Sequence, residues 1–265
     1  MCNLSETKEN QKTRIIRDYC VKNKKRFLVA DWFGRGGSSG KLMEATLTRW
    51  TKDTIDFLDG VVPKTSSKKF SNTRRAVFVG SGVGAWVSML VARERPDLVR
   101  GFVGLSADPD FTEDLLWAQL PEEVKDAIMR EGFKEVKWGG RSEVYPITSS
   151  LIEDGRKNLV LRGGPQSFQI DCPVRLIHSL EDEEVPVTVP LKIAQTVTTL
   201  NCEVIMPKIG GHALEDQRQT LPRWVDPMFD QQSKSKTPML SPFEEALVKS
   251  LDDCLQYSEV AAEVK

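Results

Sequence analysis

The sequence lacks several features that would assign a function class at once. It carries 37 lysines and arginines against 38 aspartates and glutamates over 265 residues, which gives a net charge of −1. That balance excludes an overall field that would recruit nucleic acid or an anionic membrane. Apolar runs are strand-sized, far shorter than the roughly 20 residues that cross a bilayer. We therefore expect no membrane span and no nucleic-acid partner.

Cysteine pairs and histidines are also scarce. There are two histidines and five cysteines, with no C-x-x-C spacing. An odd number of scattered cysteines suits neither a zinc site nor a disulfide framework. The first ten residues are polar and contain no apolar segment typical of a signal peptide. We expect reduced packing cysteines, no metal and no cofactor; the cysteines are Cys2, Cys20, Cys172, Cys202 and Cys254.

The pattern that is present is an alternation of short β-branched runs with helical periodicity. It is typical of a parallel sheet with crossover helices, and the length suits one large α/β domain over residues 1–265. The predicted strands are residues 26–31, 75–80, 99–106, 174–179 and 202–208. The predicted helices include one around Ile15 and Tyr19, then 45–61, 84–95, 121–131, 147–158, 190–198 and one that begins at Ser241-Pro242.

Residues 111–168 interrupt this alternation between two core strands. The stretch contains the two helices predicted at 121–131 and 147–158, together with three large apolar residues that look exposed, Leu115, Leu116 and Trp117. An insertion of this kind favours a small helical cap over a pocket, with Leu115 and Trp117 facing the ligand. An ordinary surface excursion is the alternative.

The segment Val-Gly-Ser-Gly-Val-Gly at 79–84 follows an apolar strand and precedes a helix. It resembles the G-x-S-x-G turn that holds a catalytic serine, but the central residue is Gly82. Such a turn needs small residues two positions before and after the nucleophile, and Gly80 and Gly84 meet that need. Ser81 would instead be flanked by two β-branched valines, so we expect it to lie beside the turn.

An acid and a base follow in the order that this turn requires. His212 lies in a glycine-rich loop after the last strand, so it is the predicted base, whereas His178 ends an apolar strand and is expected to be structural. Asp182 lies in the loop after that strand and is the predicted acid. The alternative is that Asp182 is one more charge in the acidic run 181–184. The order nucleophile position, acid, base is that of α/β-hydrolases.

These residues resemble the α/β-hydrolase family and, within it, the palmitoyl-protein thioesterases of the α/β-hydrolase-domain group and their bacterial relatives. The resemblance covers most of residues 15–212. It implies an α/β-hydrolase fold, a mostly parallel sheet flanked by helices with a small helical cap. The matching stretches are Asp31-Trp-Phe-Gly-Arg-Gly-Gly-Ser-Ser-Gly, 79–86, 104–116, Tyr145-Pro-Ile-Thr, 151–154, Asp171-Cys-Pro-Val-Arg-Leu-Ile-His and Val185-Pro186.

The resemblance also implies an activity. It is the hydrolysis of ester or thioester bonds on acyl chains or acyl glucuronides, without a metal or cofactor. It carries Asp182 and His212 over as acid and base, and the backbone N–H of Val83 as an oxyanion donor. The implied ligand is a small acyl ester or thioester, or an acylated protein, and the implied compartment is cytoplasmic or mitochondrial.

The sequence departs from the family at two places. Gly82 stands where the family has its serine. The chain also starts near the loop that follows the family's central strand, so we expect an N-terminally truncated fold. Residues 26–31 and 75–80 must then pair directly, or buried backbone groups go without partners.

The function hypotheses follow from the missing serine. One is an ester or thioester hydrolase-type protein that is impaired or inactive. A second is a pseudo-hydrolase that binds an acyl ligand or a partner without turnover. A third is a residual hydrolase in which Asp182 and His212 activate water, and a fourth is a degraded gene product with no stable fold.

Overall fold

A computed structural model describes residues 1, 6–61, 75–137, 144–208, 210–214 and 241–263. Cys2 and Ile209 lie outside the described residues. Within these ranges no helix has the length and apolarity to cross a membrane. In chain order the elements are α1 (Gln11–Lys22), α2 (Leu47–Val61), β1 (Ala76–Ser81), α3 (Val83–Glu94), β2 (Val99–Leu105), α4 (Glu122–Glu131), β3 (Phe133–Lys137), β4 (Val144–Thr148), α5 (Ser149–Lys157), β5 (Val174–Ile177), α6 (Thr188–Thr196), β6 (Cys202–Ile205) and α7 (Pro242–Glu263).

The core of the molecule is a parallel sheet in the order β1-β2-β5-β6. Its register places Ser81 beside Leu105 and Leu105 beside Ile177, so the carboxyl ends of three strands meet at one edge. Every residue of β5 is buried, as expected for a strand covered on both faces. The sheet edge that carries the strand ends is where ligands bind in open α/β folds.

The predictions for the four observed sheet strands are confirmed, with ends that differ by up to three residues. The strand predicted at residues 26–31 is wrong, because this segment forms no ladder with β1 and Leu28 is half exposed. Asp31 instead accepts hydrogen bonds from the N–H groups of Lys8 and Gly37. On its outer edge β1 meets Met1: the Met1 amino group donates to the Val79 carbonyl, and the Ser81 N–H donates to the Met1 carbonyl.

The stretch between β2 and β5 contains α4, α5 and the antiparallel pair β3–β4, which the sequence did not predict. Helix α5 begins at Ser149 rather than 147, because Thr148 ends β4 and caps the helix by accepting the Leu151 N–H. Leu115 and Leu116 were expected to be exposed, and this is wrong: they are 7% and 1% exposed and pack into the core.

Asp110 ties this stretch to the core. Its side chain is fully buried and accepts hydrogen bonds from the backbone N–H groups of Val160 (2.8 Å) and Leu161 (3.0 Å). A buried carboxylate is tolerated only when such donors replace water. The edge-on contact between Trp86 and Phe111, with ring centroids 5.9 Å apart, closes the same region.

The last helix begins as predicted. The Ser241 N–H donates to Glu244 Oε2 (2.7 Å), and the Glu244 N–H donates to Ser241 Oγ (3.1 Å), which is a reciprocal capping box. Leu247, Leu251 and Cys254 are buried on the face that packs against the sheet. Apolar periodicity and a capping signal therefore sufficed to place α7.

The turn between β1 and α3 depends on Gly80. A Cβ atom at this position would lie 2.5 Å from the backbone of Gly84 and Ala85. Backbone atoms cannot give way as a flexible side chain can, so the strand and the helix touch only if residue 80 is glycine.

We predict that Gly80→Ala lowers the free energy of unfolding by roughly 3 kcal/mol, because the added methyl group forces β1 and α3 apart. Urea denaturation followed by circular dichroism measures the change. Gly60→Ala is the matched control, since a Cβ at Gly60 meets no atom within 4 Å. Equal stability of the two variants would show that the close approach is not a constraint.

Candidate active site

The site is centred on the turn at Gly82. Strand β1 ends at Ser81 and α3 begins at Val83, so Gly82 alone makes the change of direction, with φ 52° and ψ −124°. Side chains are strained in this conformation and glycine is not. The Gly82 N–H donates to the Leu105 carbonyl (3.0 Å), which fastens the turn to β2. The predicted strand–turn–helix is confirmed, and its apex has no side chain.

Ser81 and Val83 flank the apex. Ser81 is the last residue of β1 and is 4% exposed, so it belongs to the strand. Val83 supplies the first backbone N–H of α3 and its side chain is buried. The N–H groups of a helix's first turn point outward from its positive end, which is the environment that a developing oxyanion requires.

The structure brings the predicted acid and base together. His212 Nδ1 lies 3.0 Å from Asp182 Oδ2, and both side chains are buried. The other oxygen, Asp182 Oδ1, accepts the N–H groups of Glu184 (3.0 Å) and Val185 (2.9 Å). These three contacts hold the carboxylate in one orientation, and the carboxylate in turn orients the imidazole.

Asp182 and His212 each shift the other's pKa in the direction that favours the charged form. Burial alone would raise the pKa of Asp182, but the His212 contact and the Val185 amide bring the pKa below its usual value. Burial would likewise lower the pKa of His212, yet Asp182, Glu184 and Asp108 raise it. Because Nδ1 bonds to Asp182, proton exchange with a ligand falls to Nε2, which lies 3.9 Å from Glu184 Oε2.

The second histidine, His178, also lies near the Asp182 carboxylate. Its Nε2–H donates to the Val185 carbonyl (3.0 Å) and lies 3.7 Å from Asp182 Oδ2. The ring is 1% exposed, and burial lowers its pKa, so it stays neutral. The hydrogen bond from His178 to the Val185 carbonyl fastens the loop that carries Asp182 to the end of β5.

Sequence reasoning missed Asp108. It follows β2 at the carboxyl edge of the sheet and is 7% exposed. Within the described part of the chain, its Oδ1 has no hydrogen-bond partner. Burial raises its pKa to about 8, the negative charges of Asp182 and Glu184 add to the rise, and His212 opposes it. A carboxyl directly after a parallel strand was the signal that could have found it.

A cavity of about 590 Å³ opens beside the acid loop. The walls come from the stretch between β2 and β5 on one side and from the acid loop on the other, and they include Leu116, Leu120, Val124, Val136, Asp182 and Pro186. Leu115 and Trp117, the two residues predicted to face a ligand, are not in these walls. Leu115 packs in the core, and the Trp117 ring contacts the guanidinium of Arg156 (4.8 Å).

Metal ligands are not assembled here. Among the residues that the structure describes, no group of three or more His, Cys, Asp or Glu side chains could hold a metal ion. The groups described above are the His212 imidazole, the Asp182 carboxylate that contacts it, and backbone amides that donate hydrogen bonds.

Comparisons with known proteins agree with this architecture. No protein-family model matches the chain. The human mitochondrial palmitoyl-protein thioesterase ABHD10 is 26% identical over 225 residues, which cover 84% of this chain and 69% of the relative. The orangutan protein of the same name (Pongo abelii) matches equally.

Two solved structures superpose closely. A protein described as a putative hydrolase from Agrobacterium vitis has a TM-score of 0.70 at 24% identity and covers 88% of this chain and 84% of its own. Mouse alpha/beta hydrolase domain-containing protein 10 has a TM-score of 0.68 at 24% identity and covers 88% of both chains. The chain is a relative of the α/β-hydrolase family and has its fold.

Proposed function

We propose that this protein is an ester or thioester hydrolase-type α/β-hydrolase whose covalent chemistry is lost at Gly82. It binds an acyl ester or thioester ligand and turns it over poorly or not at all. The single observation that carries the proposal is the apex of the turn, where a residue with φ 52° and ψ −124° has no side chain to acylate. The thioesterase name of the curated relatives supports the ligand class.

The remaining groups retain a partial mechanism. In a serine enzyme of this geometry the imidazole takes the proton of the hydroxyl, and the carboxylate stabilises the imidazolium. Here His212 and Asp182 retain that arrangement, so the imidazole can activate only a water molecule. Loss of a triad nucleophile leaves roughly 10³–10⁴-fold acceleration over water in enzymes with an intact oxyanion hole. Slow hydrolysis by this route is the second candidate function.

The ligand site of the proposal is the cavity beside the acid loop. Its leucine and valine side chains can contact an acyl chain, Lys134, Glu135 and Lys137 line it as well, and Asp182, the partner of His212, is part of its wall. In this reading residues 111–168 act as a cap, because α4 and β3 form the wall opposite the acid loop.

The first test restores the missing group. We predict that Gly82→Ser gains covalent labelling by a fluorophosphonate probe and hydrolyses a short-chain acyl thioester at least ~100-fold faster than the unmodified chain. Labelling is read by intact-protein mass spectrometry.

Two matched variants isolate the hydroxyl. Gly82→Ala introduces the same backbone strain without a nucleophile and is expected to stay unlabelled. Gly82→Ser combined with Asp182→Asn is expected to label slowly. Labelling of the unmodified chain to the same extent as Gly82→Ser would refute the proposal.

The second test concerns the cavity. We predict that Leu120→Glu weakens binding of a non-hydrolysable octanoyl thioether by roughly tenfold or more, because it places a charge on the apolar wall. Isothermal titration calorimetry on the unmodified chain gives the reference affinity. Leu200→Glu is the control, since Leu200 is 94% exposed and away from the cavity. Equal affinities of the two variants for the thioether would show that the ligand does not bind in this cavity.

The third test uses the proton on Asp108. Because its pKa in the folded state is about 8, above the roughly 3.9 of an unfolded chain, the folded protein holds an extra proton between these values. Stability from this group is therefore present at low pH and is lost as pH rises toward 8. We predict that Asp108→Asn gains stability relative to the unmodified chain on going from pH 4 to pH 8, by up to roughly 5 kcal/mol, because each unit of pKa difference corresponds to about 1.4 kcal/mol.

Urea denaturation at several pH values measures this gain. Asp182→Asn serves as the contrast, because the lowered pKa of Asp182 makes its ionised form stabilising above about pH 4. Its loss should reduce stability at pH 5 to 6. A pH-independent offset for Asp108→Asn would mean that its carboxyl titrates normally.

A further inference from the structure

Lys12 is a buried lysine in the first turn of α1, a position where a cation does not stabilise the helix. It is the second residue of α1, near the positive end of the helix, where a cation is unfavourable, and no acidic residue occupies that first turn. It is nevertheless 7% exposed. An exposed lysine would be equally compatible with α1, so we expect the partners of the buried ammonium group to lie outside the helix.

The contacts of the ammonium group identify these partners. Lys12 Nζ donates to the Ala213 carbonyl (2.9 Å), 201 residues along the chain, and pairs with Glu6 Oε1 (2.5 Å). Ala213 directly follows His212. The carboxylate of Glu6, 18% exposed, compensates the buried charge, which leaves the ammonium in place to hold the carbonyl.

Contacts from other segments hold the loop around His212. Leu214 adopts a positive φ of 53°, which is strained for a residue with a side chain, and its N–H donates to the Gly211 carbonyl over a long 3.3 Å. Leu214 anchors one end, since it is 1% exposed and packs with Tyr19 and Phe243. Lys12 donates to the carbonyl of Ala213, the residue between His212 and Leu214.

We propose that Lys12 is a positioning residue: its ammonium group, backed by Glu6, fixes the Ala213 carbonyl and thereby holds His212 against Asp182. The inference rests on the proposed function in taking His212 as the base of the site. It adds that the segment leading into α1, far from the turn in sequence, is part of the machinery. Lys12 touches neither ligand nor reacting atoms and acts only through the loop.

The sign of a titration separates positioning from simple electrostatics. Removing a cation raises the pKa of a nearby imidazole, because the charged form loses a repulsive neighbour. Loosening the loop relieves the burial that lowers the pKa of His212, but it also removes the contributions of Asp182, Glu184 and Asp108 that together outweigh burial, so the pKa falls toward its ordinary value. His178 is the one other histidine, so both imidazoles can be followed individually by NMR.

We expect Lys12→Met to move the His212 titration midpoint to lower pH, and Lys12→Arg, which keeps a charged donor, to restore most of the shift. Lys22→Met is the matched control, an exposed lysine at the other end of the same helix. The buried His178 resonance reports that the sheet edge stays folded. In the Gly82→Ser background we expect Lys12→Met to lower kcat roughly tenfold with little change in KM.

An unchanged or raised His212 midpoint in Lys12→Met would overturn the inference. If that variant does not fold, the same titration on Lys12→Gln, which is neutral and shorter, decides by the same sign. The titration needs no catalysis, so an inactive Gly82→Ser protein would count against the proposed function and leave this inference to stand or fall by the midpoint.

Discussion

The close approach of β1 to α3 is the constraint on which the rest of the site depends. Strand and helix approach so closely that a Cβ atom added at Gly80 would lie 2.5 Å from the backbone of Gly84 and Ala85. The chain therefore turns directly from strand into helix. That turn sets the conformation of Gly82 and places its N–H in a hydrogen bond with the Leu105 carbonyl of β2. These features need no serine, because glycine adopts the apex conformation without strain. The strand–turn–helix geometry therefore does not depend on a side chain at residue 82.

Several titratable side chains lie close to one another in the loops that follow β2, β5 and β6. Asp182 Oδ2 lies 3.0 Å from His212 Nδ1 and 3.7 Å from His178 Nε2, while Glu184 and Asp108 raise the pKa of His212. Burial magnifies each of these interactions. The result is the Asp182–His212 pair near a carboxyl whose pKa is about 8, an arrangement in which proton positions depend strongly on pH. The geometry thus pairs an imidazole with a buried carboxylate, and the apex of the turn, Gly82, has no side chain.

Local signals predicted most elements well and failed where distant partners decide. The capping box of Ser241 and Glu244 and the apolar runs of β1, β2 and β5 depend on neighbours in sequence, and all of them are observed. Residues 26–31 have the composition of a strand, but a strand exists only when another backbone pairs with it. Leu115 and Leu116 look exposed in isolation, yet the fold covers them. Asp108 was missed for the same reason, since its surroundings come from three separate loops.

The sequence by itself determined the order of the elements and the turn at Gly82, and it singled out Asp182 and His212 as the predicted acid and base, because these inferences depend on residue type, spacing and periodicity. Only the tertiary structure decided that His212 meets Asp182 at 3.0 Å, that Lys12 reaches the Ala213 carbonyl across 201 residues, and that Asp108 is buried beside them. Such contacts join segments remote in sequence, and their energies come from burial and exact distance, which no local pattern encodes.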